Sequence, residues 1–86
     1  MQGVGSTRFA RPVTVRLRRG SRDEIVVDDA SRAGKILMHE WPNGDSAKHR
    51  EAMEACLRVL RGEAFSPVAR RAFVAAALEA KILTGD

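Results

Sequence analysis

Several features that define common protein classes are missing from this sequence. Cys56 is the only cysteine, which excludes an internal disulfide, so we expect a reduced, cytoplasmic setting. The longest uninterrupted apolar run, residues 72–78, is far shorter than the roughly 20 residues that cross a bilayer as a helix. The first dozen residues lack the apolar stretch of a secretory signal. We therefore expect a protein that is neither exported nor membrane-spanning.

Side chains suited to catalysis or metal binding are also scarce. His39, His49 and Cys56 are the only residues of the usual base, nucleophile or soft-ligand types, and none has the spacing of a CxxC, HxxxH or Cys-His site. Cys56 falls on the apolar side of a predicted helix, whereas the two histidines flank a Trp-Pro turn, where we expect them to be exposed. No Gly-rich phosphate loop follows a predicted strand. We predict no catalytic residue, no cofactor and no metal, and so a protein that is not an enzyme.

Acidic residues are absent from the first 22 positions, although the whole chain carries a net charge of +4. Of the fifteen basic residues, six precede the first acid, which leaves nine against eleven acids in the rest of the chain. The excess of positive charge therefore belongs to the N-terminal segment. Its six basic residues are Arg8, Arg11, Arg16, Arg18, Arg19 and Arg22.

Alternating apolar residues predict a strand in this basic segment, over residues 9–19. Val13, Val15 and Leu17 would face one side, and Arg16 and Arg18 the other. A turn is predicted at residues 20–21, where glycine is followed by serine. The β-branched run at residues 24–27 predicts the returning strand. We expect the two segments to pair as an antiparallel β-hairpin.

Capping residues and apolar spacing predict two helices directly after the hairpin. The first follows the carboxylates of Asp28 and Asp29 and stops at Pro42, with Trp41 anchored in the core. The second begins near residues 45–46 and continues to residue 61, before Gly62, which suits a left-handed cap.

A third helix is predicted from Ser66, as a capping hydroxyl before Pro67, to about residue 83. It is apolar on most of its circumference, so we expect it to be central, with Phe73, Leu78 and Ile82 filling gaps. Together these elements predict an α+β fold, with an N-terminal antiparallel β-hairpin followed by three α-helices (ββααα). We expect one domain over residues 9–84 and a disordered segment over residues 1–8.

The assembled pattern resembles the small bacterial family called domain of unknown function 982. The similar motifs are Phe-x-x-Pro-Val, Trp-Pro, Ala-x-x-x-Cys and, in the third helix, Ala-Arg-x-Ala-Phe-x-x-Ala-Ala-x-Glu-Ala. The residues that carry them are Phe9, Pro12, Val13, Trp41, Pro42, Ala52, Cys56, Gly62, Ala69, Arg70, Ala72, Phe73, Ala76, Ala77, Glu79 and Ala80. The chain departs from the family at Lys81-Ile82, where a small residue, often glycine, is expected. The resemblance implies an uncharacterised cytosolic protein, mainly of rhizobia and their relatives, with no activity to carry over.

Two functions are compatible with these observations. We expect a non-enzymatic interaction module that self-associates as a homodimer or binds a protein partner through its hairpin, because two strands alone leave unpaired edges. The alternative is a protein that binds nucleic acid through the Arg-rich hairpin. The candidate contact residues are Arg16, Arg18, Arg19, Arg22 and Arg70.

Arg70 is the one candidate outside the hairpin. It lies near the start of the third helix, where a positive charge interacts unfavourably with the helix dipole. The same holds for Arg71, so we expect one of the two arginines to have a carboxylate partner, such as Glu40, Glu63 or Glu79.

Overall fold

A computed structural model describes residues 6–18, 20, 22–42 and 44–86 of the chain. The elements in chain order are β1 (Arg8–Val15), β2 (Ile25–Asp29), α1 (Ala30–His39), α2 (Ala47–Leu60), α3 (Ser66–Glu79) and β3 (Leu83–Gly85). The predicted α+β class, with a hairpin before three helices, is confirmed. The short strand β3 was not predicted.

The three strands form an antiparallel sheet in the order β2-β1-β3. Val15 is opposite Ile25 on one side and Leu83 on the other, so β1 is the central strand. The register of β1 against β2 shifts between Arg8 and Val13. Pro12 lies in this irregular stretch, where its missing N–H interrupts no regular ladder.

β1 ends at Val15, four residues earlier than predicted. Beyond this point the register of β1 with β2 ends, and the N–H of Arg16 donates to the carbonyl of Ile82 at 2.8 Å. Gly20 has a φ of 82°, as the predicted turn requires, while Arg19 and Ser21 lie outside the described residues. The hairpin is thus shorter than expected and is joined by a long connection.

The predicted N-terminal caps of α1 and α2 are present. The Asp29 carboxylate accepts a hydrogen bond from the backbone N–H of Ser31 at 2.7 Å and another from the Thr7 hydroxyl at 2.9 Å. The Ser46 hydroxyl accepts from the N–H of His49 at 3.0 Å. These bonds satisfy N–H groups that have no partner within the helix.

Both predicted limits of α3 differ from the structure. No side-chain hydrogen bond caps its first turn, because Ser66 is already helical and Phe65 occupies the capping position. The helix ends at Glu79, rather than near residue 83, because Lys81 adopts a left-handed conformation with a φ of 62°. This turn directs Ile82 to the core and leads the chain into β3.

The core lies between the inner face of the sheet and the helices. Its largest fully buried side chains include Val13, Val27, Leu37 and Phe73. α3 packs against α2, β1, α1 and β3, as expected of a central helix. Leu78, predicted to fill a gap, is 61% exposed, because five residues of helix place it nearly opposite Phe73.

The predicted limits of the domain and of the disordered N-terminus stay predictions. Residues 1–5 lie outside the described residues, and the carbonyl of Thr7 accepts a hydrogen bond from the N–H of Ala30 at 2.9 Å. None of the described helices is long and apolar enough to cross a membrane.

Candidate binding cleft

Two arginines of the hairpin segment lie beside acids, one in β2 and one in the segment just before it. Arg8 lies 3.8 Å from Asp28, and Arg16 lies 3.3 Å from Glu24. These side chains are well exposed, so solvent and salt weaken both pairs. The acids nevertheless interrupt the positive charge that the first 22 positions suggested, so it does not form a continuous basic ribbon.

An open cleft of about 770 Å³ lies at the end of the sheet. Three segments that are distant in sequence form it: the chain after β1, the turn between α1 and α2, and the turn between α3 and β3. Its lining residues are Arg16, Leu17, Arg18, Gly20, Trp41, Pro42, Ser46, Glu79, Ala80, Lys81, Ile82 and Thr84. The cleft combines apolar side chains with an excess of positive charge.

Trp41 is half-buried in the wall of this cleft. Its ring packs edge-on against Phe73, with centroids 5.5 Å apart, and is tilted against the imidazole of His49 at 5.9 Å. These contacts hold the indole at the junction of α1, α2 and α3. Trp41 therefore anchors the helix end, as predicted, and also contributes to the surface of the cleft.

The orientation of the turn that carries Trp41 depends on His49. We expected this histidine to be exposed, but it is buried. Its Nδ1 accepts a hydrogen bond from the N–H of Asp45 at 3.1 Å, and its Nε2 lies 2.7 Å from the carbonyl oxygen of Leu37. Because the backbone N–H only donates and the carbonyl only accepts, Nε2 carries the proton. The imidazole thus links α2 to the end of α1 and has no free nitrogen for catalysis.

Three cations and one acid line the cleft. Glu79 accepts a hydrogen bond of 2.6 Å from the hydroxyl of Ser46, which places its carboxylate beside the N-terminus of α2, where negative charge is favoured. Arg18 and Lys81 form no ion pair among the described residues. The Nε of Arg16 is buried without a hydrogen-bond partner within the same described part. Within the described residues, the cleft therefore retains positive charge, from Arg18 and Lys81, that no ion pair satisfies.

Lys81 reaches the cleft through an uncommon backbone conformation. After α3, the N–H of Lys81 donates to the carbonyl of Leu78 at 3.1 Å, and that of Ile82 donates to Ala77 at 3.0 Å. This is the left-handed C-terminal cap in which glycine is usual. In the sequence, the only sign of this unusual cap was the departure from the family at this position. That departure singled out the residue but did not indicate that it lies in a cleft.

The candidate residues from the sequence separate into different parts of the structure. Arg16 and Arg18 line the cleft. Arg22 is exposed in the connection between β1 and β2 and does not line it, and Arg19 lies outside the described residues. Of the contact residues predicted on the hairpin, only Arg16 and Arg18 are therefore shown to lie together in the cleft.

Arg70 is held by backbone carbonyls, not by one of the carboxylates we expected. Its Nε donates to the carbonyl oxygen of Arg11 at 2.9 Å, and its terminal nitrogen donates to the carbonyl oxygen of Asp86. Arg70 is therefore not the arginine of the pair that has a carboxylate partner, because carbonyls of two other segments are within reach of its guanidinium. The guanidinium links α3 to β1 and to the residue after β3.

Other reactive side chains do not form a site. Cys56 is buried, and desolvation by burial raises the pKa of its thiol from 9.0 to about 12, so the reactive thiolate is disfavoured. No group of three or more histidine, cysteine, aspartate or glutamate side chains within the described ranges is arranged to hold a metal ion.

Comparison with known proteins identifies the family but not an activity. No curated protein matches the chain, and no solved structure matches it. A family model described as "Protein of unknown function (DUF982)" matches residues 11–84, which include β2, all three helices, the first two residues of β3 and every lining residue of the cleft. The chain therefore belongs to this family of unknown function.

Proposed function

We propose that the protein is a non-catalytic, cytoplasmic interaction module that binds a protein partner at the cleft beside its hairpin. The observation that carries this proposal is the meeting of Arg16, Arg18 and Lys81 around the half-buried Trp41. Concave sites that join apolar walls to a few polar groups are the usual places where proteins bind ligands. Tryptophan and arginine are also the residues enriched among energetically dominant contacts of protein interfaces.

The buried histidine and cysteine support a non-catalytic role. Both ring nitrogens of His49 are used within the fold, and Cys56 is shielded from reagents. Glu79, the one acid in the cleft, is engaged by Ser46. The cleft is therefore suited to holding a group in place by charge and packing, and binding is its best-supported use.

A second copy of the chain is one candidate partner. β1 is paired on both sides, so the edges open to pairing belong to β2 and to the much shorter β3. Val26 of β2 is 53% exposed beside that edge. We expect self-association to use β2, because an unpaired strand offers backbone donors and acceptors to a second strand.

Capture from a host lysate with matched variants tests partner binding. Arg18→Glu reverses a charge in the cleft, whereas Arg32→Glu reverses an exposed charge on α1 that does not line it. We expect a bound protein that survives nuclease treatment, is lost with Arg18→Glu and is kept with Arg32→Glu. Equal capture by both variants would contradict a role for the cleft.

Light scattering of the purified protein tests the self-association version. We expect a dimer at high micromolar concentration that Val26→Lys converts to a monomer, because a charged residue on an edge strand blocks pairing. A wild-type monomer at that concentration would leave only a different protein as the partner.

Nucleic-acid binding is the second candidate, favoured by the sequence pI of about 10.2 and by an aromatic side chain among the cations of the cleft. Bases of single strands stack on aromatic side chains while cations contact the phosphates. Electrophoretic mobility of short DNA and RNA strands over a salt series tests it. Binding that weakens steeply with salt and is lost with Arg18→Glu would favour this candidate over a protein partner.

A further inference from the structure

The backbone at Lys81 indicates that its side chain has a use in the cleft. α2 and α3 end in the same left-handed cap, and the equivalent positions are Gly62, with a φ of 79°, and Lys81, with a φ of 62°. No atom of the described residues lies within 4 Å of a Cβ built at Gly62, so the left-handed conformation, and not crowding by those residues, explains the glycine. At the second cap the chain accepts backbone strain at Lys81, a residue that lines the cleft. Strain of this kind is characteristic of functional sites.

The neighbouring cations are arranged around the same space. Arg16 and Arg18 come from the connection after β1, and Lys81 from the turn after α3, so two separate segments supply the charge. Arg16 is only partly satisfied by its exposed pair with Glu24 at 3.3 Å, and its Nε has no partner among the described residues. Glu79 forms no ion pair with these cations among the described residues, and its carboxylate accepts a hydrogen bond from Ser46, so the lining carries three cations and one anion.

The size and chemistry of the cleft favour one anionic group over a long polyanion. Its volume of about 770 Å³ is in the range of small-molecule sites. A track for a nucleic-acid backbone requires cations along several nucleotides, whereas Arg8, at the start of β1, lies beside the acid Asp28. Leu17, Trp41 and Ile82 supply apolar surface next to the cations.

We infer that the cleft is an anion-binding site that takes a carboxylate or phosphate attached to an apolar group, with Lys81 as a residue that determines its specificity. The anion contacts Arg16, Arg18 and Lys81, and the apolar group packs against Trp41. Such an anion is carried either by an acidic segment of a protein partner or by a free small molecule. This inference rests on the proposed binding function, because it names the chemistry that the same cleft recognises.

The purified protein and simple probes test this inference. Trp41 is the only tryptophan, so its fluorescence and its indole N–H resonance report directly on the cleft. The probes are octanoate, octyl phosphate, the neutral octanamide, and a short acetylated peptide of alternating glutamate and leucine. If the peptide binds more tightly than octanoate and octyl phosphate, the natural anion belongs to a protein partner. If octanoate or octyl phosphate binds more tightly than the peptide, the natural anion is a small molecule.

Two variants distinguish the effect on binding of a charge in the cleft from that of a charge elsewhere on the surface. Lys81→Asn removes the ammonium but keeps a residue that tolerates the left-handed conformation, and Lys35→Gln removes an exposed charge on α1 outside the cleft. We expect octanoate to bind at least about tenfold more weakly to Lys81→Asn, as for loss of a charge-assisted hydrogen bond, and unchanged to Lys35→Gln. Octanamide should bind weakly to all three proteins. Circular dichroism verifies that each variant is folded.

Two results would overturn the inference: octanamide binding as tightly as octanoate, or Lys81→Asn binding octanoate as tightly as the wild type. If these occur while lysate capture still depends on Arg18, only the anion chemistry fails. If capture is also independent of Arg18, the proposed function of the cleft fails with it.

Discussion

Position 81 carries a lysine where the backbone conformation favours glycine. For a residue with a Cβ, the left-handed conformation costs roughly 1–2 kcal/mol, since the Cβ approaches the following carbonyl oxygen. The cap itself is complete, because the N–H groups of Lys81 and Ile82 both bond to carbonyls of α3. The energetic cost of the left-handed conformation therefore comes from the Lys81 side chain alone, so a substitution at position 81 measures it.

We expect Lys81→Gly to raise the free energy of unfolding by about 1 kcal/mol, with part of the gain offset by the greater freedom of glycine in the unfolded chain. Gly62→Lys makes the reciprocal change at the matching cap of α2, in open space, and should lower it by a similar amount. Urea unfolding followed by circular dichroism measures both. A loss of stability in Lys81→Gly would mean that the lysine stem packs favourably enough to outweigh the strain.

The effect of Cys56 on the pH dependence of stability shows whether the protein interior excludes a charged thiolate. Burial raises its pKa from 9.0 to about 12, so the thiol stays protonated in the folded protein at a pH where it ionises in the unfolded chain. A raised folded-state pKa gives stability that is fully present below pH 9 and declines as the pH rises toward 12. We expect the wild type to lose stability faster than Cys56→Ala over this interval.

The reactivity of the same thiol provides a second measurement. Iodoacetamide should modify native Cys56 far more slowly than the urea-unfolded chain at the same pH, because only the thiolate reacts. Equal rates would show that the site opens readily to solvent.

Arg70 is expected to be a structural residue, although it was a candidate contact. Arg70→Ala should lower the free energy of unfolding by about 1–2 kcal/mol, since its two bonds to carbonyls of other segments are made by a charged donor, and should leave octanoate binding at the cleft unchanged. Thermal unfolding and the fluorescence titration measure the two effects separately. Impaired binding with unchanged stability would instead assign Arg70 to a binding surface.

Among the helices, α3 begins without the side-chain cap that α1 and α2 possess. Phe65 occupies its capping position in an extended conformation, with φ of −86° and ψ of 155°, and its side chain is 70% exposed. A serine at this position has the extended backbone of a cap, and the donor it can share is the N–H of Val68, which now donates to the carbonyl of Phe65 at 3.0 Å, since Pro67 has no N–H. The feature is therefore a local weakness of the helix that is correctable by one substitution.

We expect Phe65→Ser to stabilise the protein by about 0.5–1 kcal/mol, with Phe65→Ala as the control that removes the ring without adding a cap. Urea unfolding of both variants separates the gain of the cap from the loss of the ring. If Phe65→Ser is no more stable than Phe65→Ala, the cap does not form.

Boundaries of the elements were predictable where a local interaction defines them. Asp29, Ser46 and Gly62 act through hydrogen bonds or dihedral angles within a few residues, so their roles were recognisable in the sequence. β3 was not recognisable, because its three residues are too few to show a period and it forms only by pairing with β1. The limits of α3 were missed for related reasons: Ser66-Pro67 suits two positions of a helix start, and Lys81 is not a usual helix terminator.

At the scale of the whole molecule, the segment after α3 completes the fold. Ile82 is buried in the core, Leu83 is paired with Val15, and the carbonyl of Asp86 accepts from Arg70. These contacts join the end of the described chain to the central strand.

We expect deletion of residues 82–86 to lower the free energy of unfolding by more than about 2–4 kcal/mol, since the loss of Ile82 from the core alone is of that size. Deletion of Asp86 alone is the control and should cost much less. Thermal unfolding followed by circular dichroism compares them. An unchanged melting temperature in the longer deletion would show that β3 contributes little to the sheet.

The sequence by itself determined the α+β class, the hairpin and the order of the helices, because alternation, helical spacing and caps are local properties of the chain. It also identified Arg16 and Arg18. Only the tertiary structure decided that these arginines meet Trp41 and Lys81 in one cleft, that Arg8 and Arg16 each lie beside an acid, and that His49 is buried. The physical reason is that these relations depend on how distant segments pack, which the period of any one segment does not specify.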